Sequence, residues 1–295
     1  MAKNKKLLII LLCVLAAAVI AYIIALNVGK NNEEETPTDT IGDLTGSLGT
    51  VTLSAKSETN SYTYDEKDGA WHWDSDYDYP MKSMYLNLIF NKMKSLTSLR
   101  TFEAQESVAH FGLEEPRFSV SAVDSEGKSL SLLVGNALDD DRVYAMEKGG
   151  RTIYIVSTEF ADSLDKSLLE MANVDSIPEL SASQIKTVAV TTDAGTVTLD
   201  SSDRSSYTVL GYVGELTTES AADWKPTEEE LQEYGLTEPY AVISVSYEKD
   251  SGPGEYTLTC GSMDESGNYR YCIVDDSDMV VLCRTTFIDR VITNV

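Results

Sequence analysis

Two short stretches of this chain are near copies: residues 111–116 read FGLEEP and residues 234–239 read YGLTEP. Each follows a helical stretch and precedes an alternating run, Phe118, Val120 and Ala122 in one copy and Ala241, Ile243 and Val245 in the other. That alternation is the period of a half-buried strand. The glycines Gly112 and Gly235 suit a left-handed helix end, Leu113 and Leu236 pack beneath it, and Pro116 and Pro239 stop the helix and turn the chain extended. The element therefore reads as a helix-to-strand joint. The echo continues through SLLVG ending at Gly135 and TLTCG ending at Gly261, and then through gapless segments opened by Tyr144 and Tyr271. Each of these segments reads as two strands round a tight turn followed by a helix. A chain that carries such a unit twice is constrained to two related halves.

The fronts of the two copies differ. The first runs TVTLSA, SYTYDEKDGAWHWD and MKSMYLNLIFNKMKSLTSL. Asp68-Gly69 signals a hairpin, and period two puts Trp71 and Trp73 on one face. Tyr85, Leu88, Ile89, Met93 and Leu96 form the expected apolar stripe of the following helix. In the second copy Thr227 and Glu230, after Pro226, suit a capping box. Short hairpin-linked strands with helices gathered between them predict α+β domains on antiparallel sheets.

Ahead of the repeat, residues 7–26 are apolar and uncharged, with Lys3, Lys5 and Lys6 before them. Twenty helical residues span about 30 Å, the thickness of a hydrocarbon core. The expectation is one transmembrane helix with residues 1–6 cytoplasmic and the remainder outside. A cleaved signal peptide, for which Ala18 and Ala21 supply small residues, is the alternative. Lipidation of Cys13 is disfavoured by the bulky Leu12 before it. Residues 27–48 are polar and acidic and read as a flexible tether. The full expectation is thus a transmembrane helix and tether followed by two tandem related domains, residues 49–180 and 181–295.

The net charge is −25, and every acidic residue lies beyond residue 30, where 19 bases stand against 48 acids. Such a body repels phosphate backbones, which argues against nucleic acid, and it keeps an exported domain soluble. Cys260, Cys272 and Cys283 form an odd set without a zinc spacing; isolated buried thiols are preferred to one bridge of undetermined pairing. Asp74, Asp76 and Asp78 begin like a calcium loop, but Tyr79 and Tyr85 stand where glycine and glutamate belong. The acidic triplets at residues 139–141 and around Asp275 read as solvated turns. His72 and His110 come with no nucleophile elbow, and no phosphate-binding glycine loop occurs. No catalytic set, metal site or cofactor is expected. Trp71, Trp73, Tyr77 and Tyr79 are read mainly as core, with an aromatic ligand platform as the functional alternative.

With this pattern laid out, the chain resembles the DUF4340 family. The resemblance rests on the lysine-flanked apolar start, the hairpin ending Gly69-x-Trp71, the helix after it, the joint Gly112-Leu113-x-x-Pro116, then Gly135, Tyr144 and the strand Ile153–Val156. It covers most of residues 50–170 and is weaker over 187–295, where the Gly-x-Trp element is missing. It implies a membrane-tethered extracytoplasmic protein, in some cases beside ABC transporter subunits, and no established activity. The combined expectation is a binding or scaffold protein auxiliary to such a transporter. A cell-wall glycan or peptide module and a carboxylate-based envelope hydrolase are the alternatives.

Overall fold

The computed structural model describes residues 39–104 and 107–295. The first half holds β1 (Asp39–Thr40), β2 (Thr50–Ala55), β3 (Glu58–Asp65), β4 (Ala70–Trp73), β5 (Thr97–Ser98), β6 (Arg100–Glu103), β7 (Phe118–Val123), β8 (Ser129–Ala137), β9 (Arg142–Glu147) and β10 (Thr152–Ser157). The second holds β11 (Ile185–Thr192), β12 (Gly195–Asp200), β13 (Thr218–Trp224), β14 (Ala241–Lys249), β15 (Gly252–Met263), β16 (Tyr269–Val274) and β17 (Met279–Arg284). One sheet runs β4-β3-β2-β7-β8-β9-β10-β6 and the other β12-β11-β14-β15-β16-β17-β13. The strand pairings in both sheets are antiparallel. The two orders superpose strand for strand, except that β4 has no counterpart.

Alternation builds both sheets. Val51, Leu53, Val120, Ala122, Leu132 and Val134 face one core, and Val188, Val190, Ile243, Val245 and Leu258 the other. The opposite faces carry paired hydroxyls, such as Thr52 with Ser61 (2.9 Å), Ser121 with Ser131 (2.7 Å) and Thr187 with Ser246 (2.6 Å). The helix Ser83–Lys94 covers the first core with Leu86, Ile89, Phe90 and Met93. At about 1.5–3 kcal/mol for each buried side chain, this face is a major stabilising element. The stripe differs from the expected one: Leu88 is exposed, and Leu86 and Phe90 take the inner positions. In the second half Val209, Leu210 and Val213 of the helix Tyr207–Val213, with Ile288 and Val291 of Thr285–Thr293, do the same. The capping box of Thr227 and Glu230 is present.

The repeated joint has a specific geometry. Gly112 and Gly235 sit at φ 71° and 68°, in the left-handed region. Behind them the chain crosses so near the sheet that a Cβ on Gly135 would lie 2.1 Å from the Phe111 carbonyl oxygen, and one on Gly261 2.2 Å from that of Tyr234. The ladder shifts register just there, between Val134 and Ala137 and between Cys260 and Met263. Tyr144 packs its ring on Phe111 at 4.9 Å, and Tyr271 on Tyr234 at 4.5 Å. Leu113 and Leu236 are buried below.

Two expectations are corrected. The fold is predominantly antiparallel sheet with short helices, and among the described residues no helix is long and apolar enough to cross a membrane. The longest of them, the 12 residues of Ser83–Lys94, presents one apolar face to a sheet rather than an apolar surface all round. Residues 7–26 lie outside the described residues. The tether is also shorter than expected at its distal end. β1 pairs with β5, Ile41 and Leu44 are buried, and Asp124 accepts N–H bonds from Thr45 (3.0 Å) and Gly46 (2.7 Å) as well as from Glu126 and Lys128. Burial alone would raise the Asp124 pKa; these four donors outweigh it and hold the carboxyl below its usual range.

Gly261→Ala is expected to destabilise the protein by about 1–3 kcal/mol through overpacking against a backbone oxygen. Urea denaturation measures it, and an unchanged midpoint would contradict the geometry.

Candidate functional site

β4 leads into a turn that folds on itself: Asp76 donates its N–H to the Trp73 carbonyl (3.1 Å), and Tyr79 to that of Asp76 (3.2 Å). The turn then reaches the second sheet. Asp76 Oδ2 accepts from Trp224 Nε1 (3.0 Å) and Lys225 Nζ (2.7 Å) at the end of β13. Tyr79 is buried between Trp73 and Trp224, meeting each edge-on at 5.5 Å, and its hydroxyl donates to the Leu168 carbonyl (2.8 Å). Lys225 is held at φ 52°, a strained value for a non-glycine residue, with its N–H on the Asp278 carbonyl (2.8 Å). The connecting segment is laced in beside it. Lys82 N–H bonds the Met171 carbonyl (2.8 Å), Asn173 N–H that of Pro80 (2.5 Å), and the Ser277 hydroxyl the Asp175 carboxylate.

Where the halves meet, Glu58, Thr59, Asn60, Trp73, Leu168, Leu169, Asp223 and Trp224 line a cleft of about 430 Å³. Both indoles are half-buried. Asn60 Oδ1 accepts from Trp73 Nε1 (3.0 Å). Asp223 accepts from the Tyr234 hydroxyl (2.8 Å), tying this wall to the second joint. Glu58 accepts a longer bond from the Leu168 N–H (3.3 Å). Hydrogen bonds from Lys225 and then Trp224 hold the Asp76 carboxyl below its usual range. A second depression, on the outer face of the second sheet, is floored by Thr187, Ser244, Ser246 and Thr257, whose hydroxyls pair among themselves.

The four-ring platform is not assembled. Trp71 is buried, its Nε1 on Asn87 Oδ1 (2.9 Å) and its ring against Phe90. Trp71 and Trp73 do share a face, but it is the face turned to the core. Tyr79 is buried as well. Tyr77 is 57 % exposed on another side of the turn, stacked on His72 at 3.6 Å, with His72 Nε2 on Asp68 (2.8 Å) and Nδ1 by the Tyr77 carbonyl (3.1 Å). Only Trp73 of the four lines the cleft. Its partner Trp224 and the Asp76–Lys225 bridge carry no sequence motif; Asp76 reads in the sequence only as part of a failed calcium loop. Gly112, Leu113, Pro116, Gly135 and Tyr144, and Gly235, Leu236, Pro239, Gly261 and Tyr271, belong to the two joints rather than to the cleft lining.

Cys260, Cys272 and Cys283 are free and buried on three adjacent strands. Hydrogen bonding to Cys272, together with burial, pushes the Cys283 thiol up, which keeps it unreactive. Among the described residues no group of His, Cys, Asp and Glu is arranged to hold a metal ion.

A family model described as "Domain of unknown function (DUF4340)" matches residues 71–228. The match begins in β4, spans the turn and the connecting segment, and ends just past Trp224 and Lys225, so it takes in both sides of the Asp76 contact. Comparisons with curated proteins and with solved structures find no match.

Asp76 stabilises the contact above its ordinary pKa of about 3.9, and that contribution is lost as pH falls through its lower folded value. Acid titration is expected to show a change in tryptophan emission below pH about 4 that Asp76→Ala lacks. Identical profiles would argue against the bridge holding the cleft.

Proposed function

This chain belongs to the DUF4340 family, and from that premise we propose that it is a non-catalytic binding or scaffold protein whose ligand seats between the two sheets. The observation that carries the reading is the cleft itself, where each half supplies a half-exposed indole beside polar groups of the other. Indole faces offer a large apolar area to a sugar ring or an extended peptide, and Asn60, Thr59, Glu58 and Asp223 offer hydrogen bonds at the rim. Glu58 and Asp223 already accept bonds within the protein. That favours ligand contacts over an acid–base pair and ranks the hydrolase reading below binding.

Placement outside the cytoplasm at a membrane belongs to the same proposal. Its support is the uncharged run of residues 7–26 with lysines before it, and the acidic character of everything after residue 30. The family resemblance adds an auxiliary role beside an ABC-type transporter.

The chain has three tryptophans, two of which line the cleft, so its intrinsic fluorescence reports on that site. Titration of the full chain with soluble cell-wall glycan fragments or with cell-wall peptides is expected to change the emission saturably, and Asp223→Asn to weaken the response by about tenfold. No response to either class would overturn the cleft reading. Protease added to intact cells is expected to remove the body; a protected body would overturn the placement.

A further inference from the structure

The two sheets differ at one margin. In the first, β3 is flanked by β2 on one side and by β4 on the other. In the second, the equivalent strand β12 pairs, among the described residues, with β11 alone, and the chain passes from it through residues 201–206 into the helix Tyr207–Val213. Register defines the equivalence. Leu53 pairs with Asn60 and Val120, and Val190 with Val197 and Ile243, so Val197 stands where Asn60 does and Leu199 where Tyr62 does. In the first half β4 brings Trp73 opposite Tyr62 and bonds its indole to Asn60; Tyr62 is only 1 % exposed. In the second half nothing among the described residues stands there: Val197 is 43 % exposed and Leu199 is half-buried at the margin of the core.

The backbone of β12 is open as well. Ser201 donates its N–H to the Lys186 carbonyl (2.9 Å), which makes Leu199 and Val197 the hydrogen-bonded positions of the β11 ladder. Thr196 and Thr198 then turn their N–H and C=O groups outward, and Asp200 its N–H, while the Asp200 carbonyl accepts from the Asp203 N–H (3.1 Å). Edge strands are ordinarily blunted with lysine, proline or a bulge. β12 reads GTVTLD and pairs in unbroken register.

We propose that the outer edge of β12 is a docking site for an extended segment of a basic partner protein, which adds a strand to the second sheet where β4 adds one to the first. Two observations select this occupant. The β4 strand shows what the margin accepts: a strand with large apolar side chains at alternate positions, set against Leu199 and the exposed Val197. Charge selects the partner's sign. Asp193, Asp200 and Asp203 flank the edge in sequence, Arg204 follows them, Lys186 across the ladder is paired with Glu248 (3.0 Å), and the chain carries −25 overall. A second copy would bring the same acids to the same place. Main-chain bonds would supply affinity, and the alternate side chains specificity.

The test uses the full chain in mild detergent and a synthetic peptide with lysine pairs on either side of Ala-Trp-His-Trp, the β4 sequence. Amide hydrogen exchange is expected to slow at Thr196, Thr198 and Asp200 when the peptide is added. Thr198→Pro removes one outward donor without touching the β11 ladder and is expected to weaken binding by at least about tenfold. Val197→Lys leaves the backbone intact, repels the basic peptide and is expected to act in the same direction, so it decides the matter if the proline variant fails to fold. Three results would overturn the proposal: no protection at these amides, equal binding by the folded variants, or self-association of the chain through β12, which would assign the edge to a second copy.

Discussion

At each joint a carbonyl oxygen lies so near a glycine that no Cβ could stand there: Phe111 over Gly135, and Tyr234 over Gly261. No side chain fits between them, so the chain leaving each helical turn is pinned to the sheet at the point where the ladder slips register. The slip fixes how β8 meets β9 and how β15 meets β16, and thereby which residues of each strand face the core. The left-handed glycine sets the exit direction, the buried leucine anchors it and the aromatic pair covers it. Each half is organised round this crossing.

The halves then diverge. The first has an additional strand and a long helix with four buried residues; the second has a shorter helix and, among the described residues, a bare margin. The added strand both completes a sheet edge and delivers the turn that carries Asp76 and Tyr79 across to Trp224 and Lys225. The two cores are tied together by this turn and by the segment laced beside it.

Much of this architecture could be read from the residues, because it is written in local chemistry. The joints show through glycine and proline, and the inner faces through period two. What escaped depends on contacts distant in sequence. Ile41 and Leu44 look like tether until Asp124, about eighty residues on, captures the backbone at Thr45 and Gly46. Residues 85, 88, 89 and 93 and residues 86, 89, 90 and 93 both fit a helical stripe, and only the sheet beneath decides between them. Alternation correctly paired Trp71 with Trp73 but could not tell that their shared face was the inner one. Trp224 carries no motif at all; its role appears only when β13 ends beside a turn from the other half.

The cleft is made of non-equivalent parts, Trp73 from the inserted strand and Trp224 from the end of a strand that both halves possess. Doubling the first half would not reproduce it, and neither would doubling the second. A gene that kept only one half would therefore lose the whole of this surface rather than half of it, so the shared surface gives selection a reason to hold two unequal copies in a single reading frame.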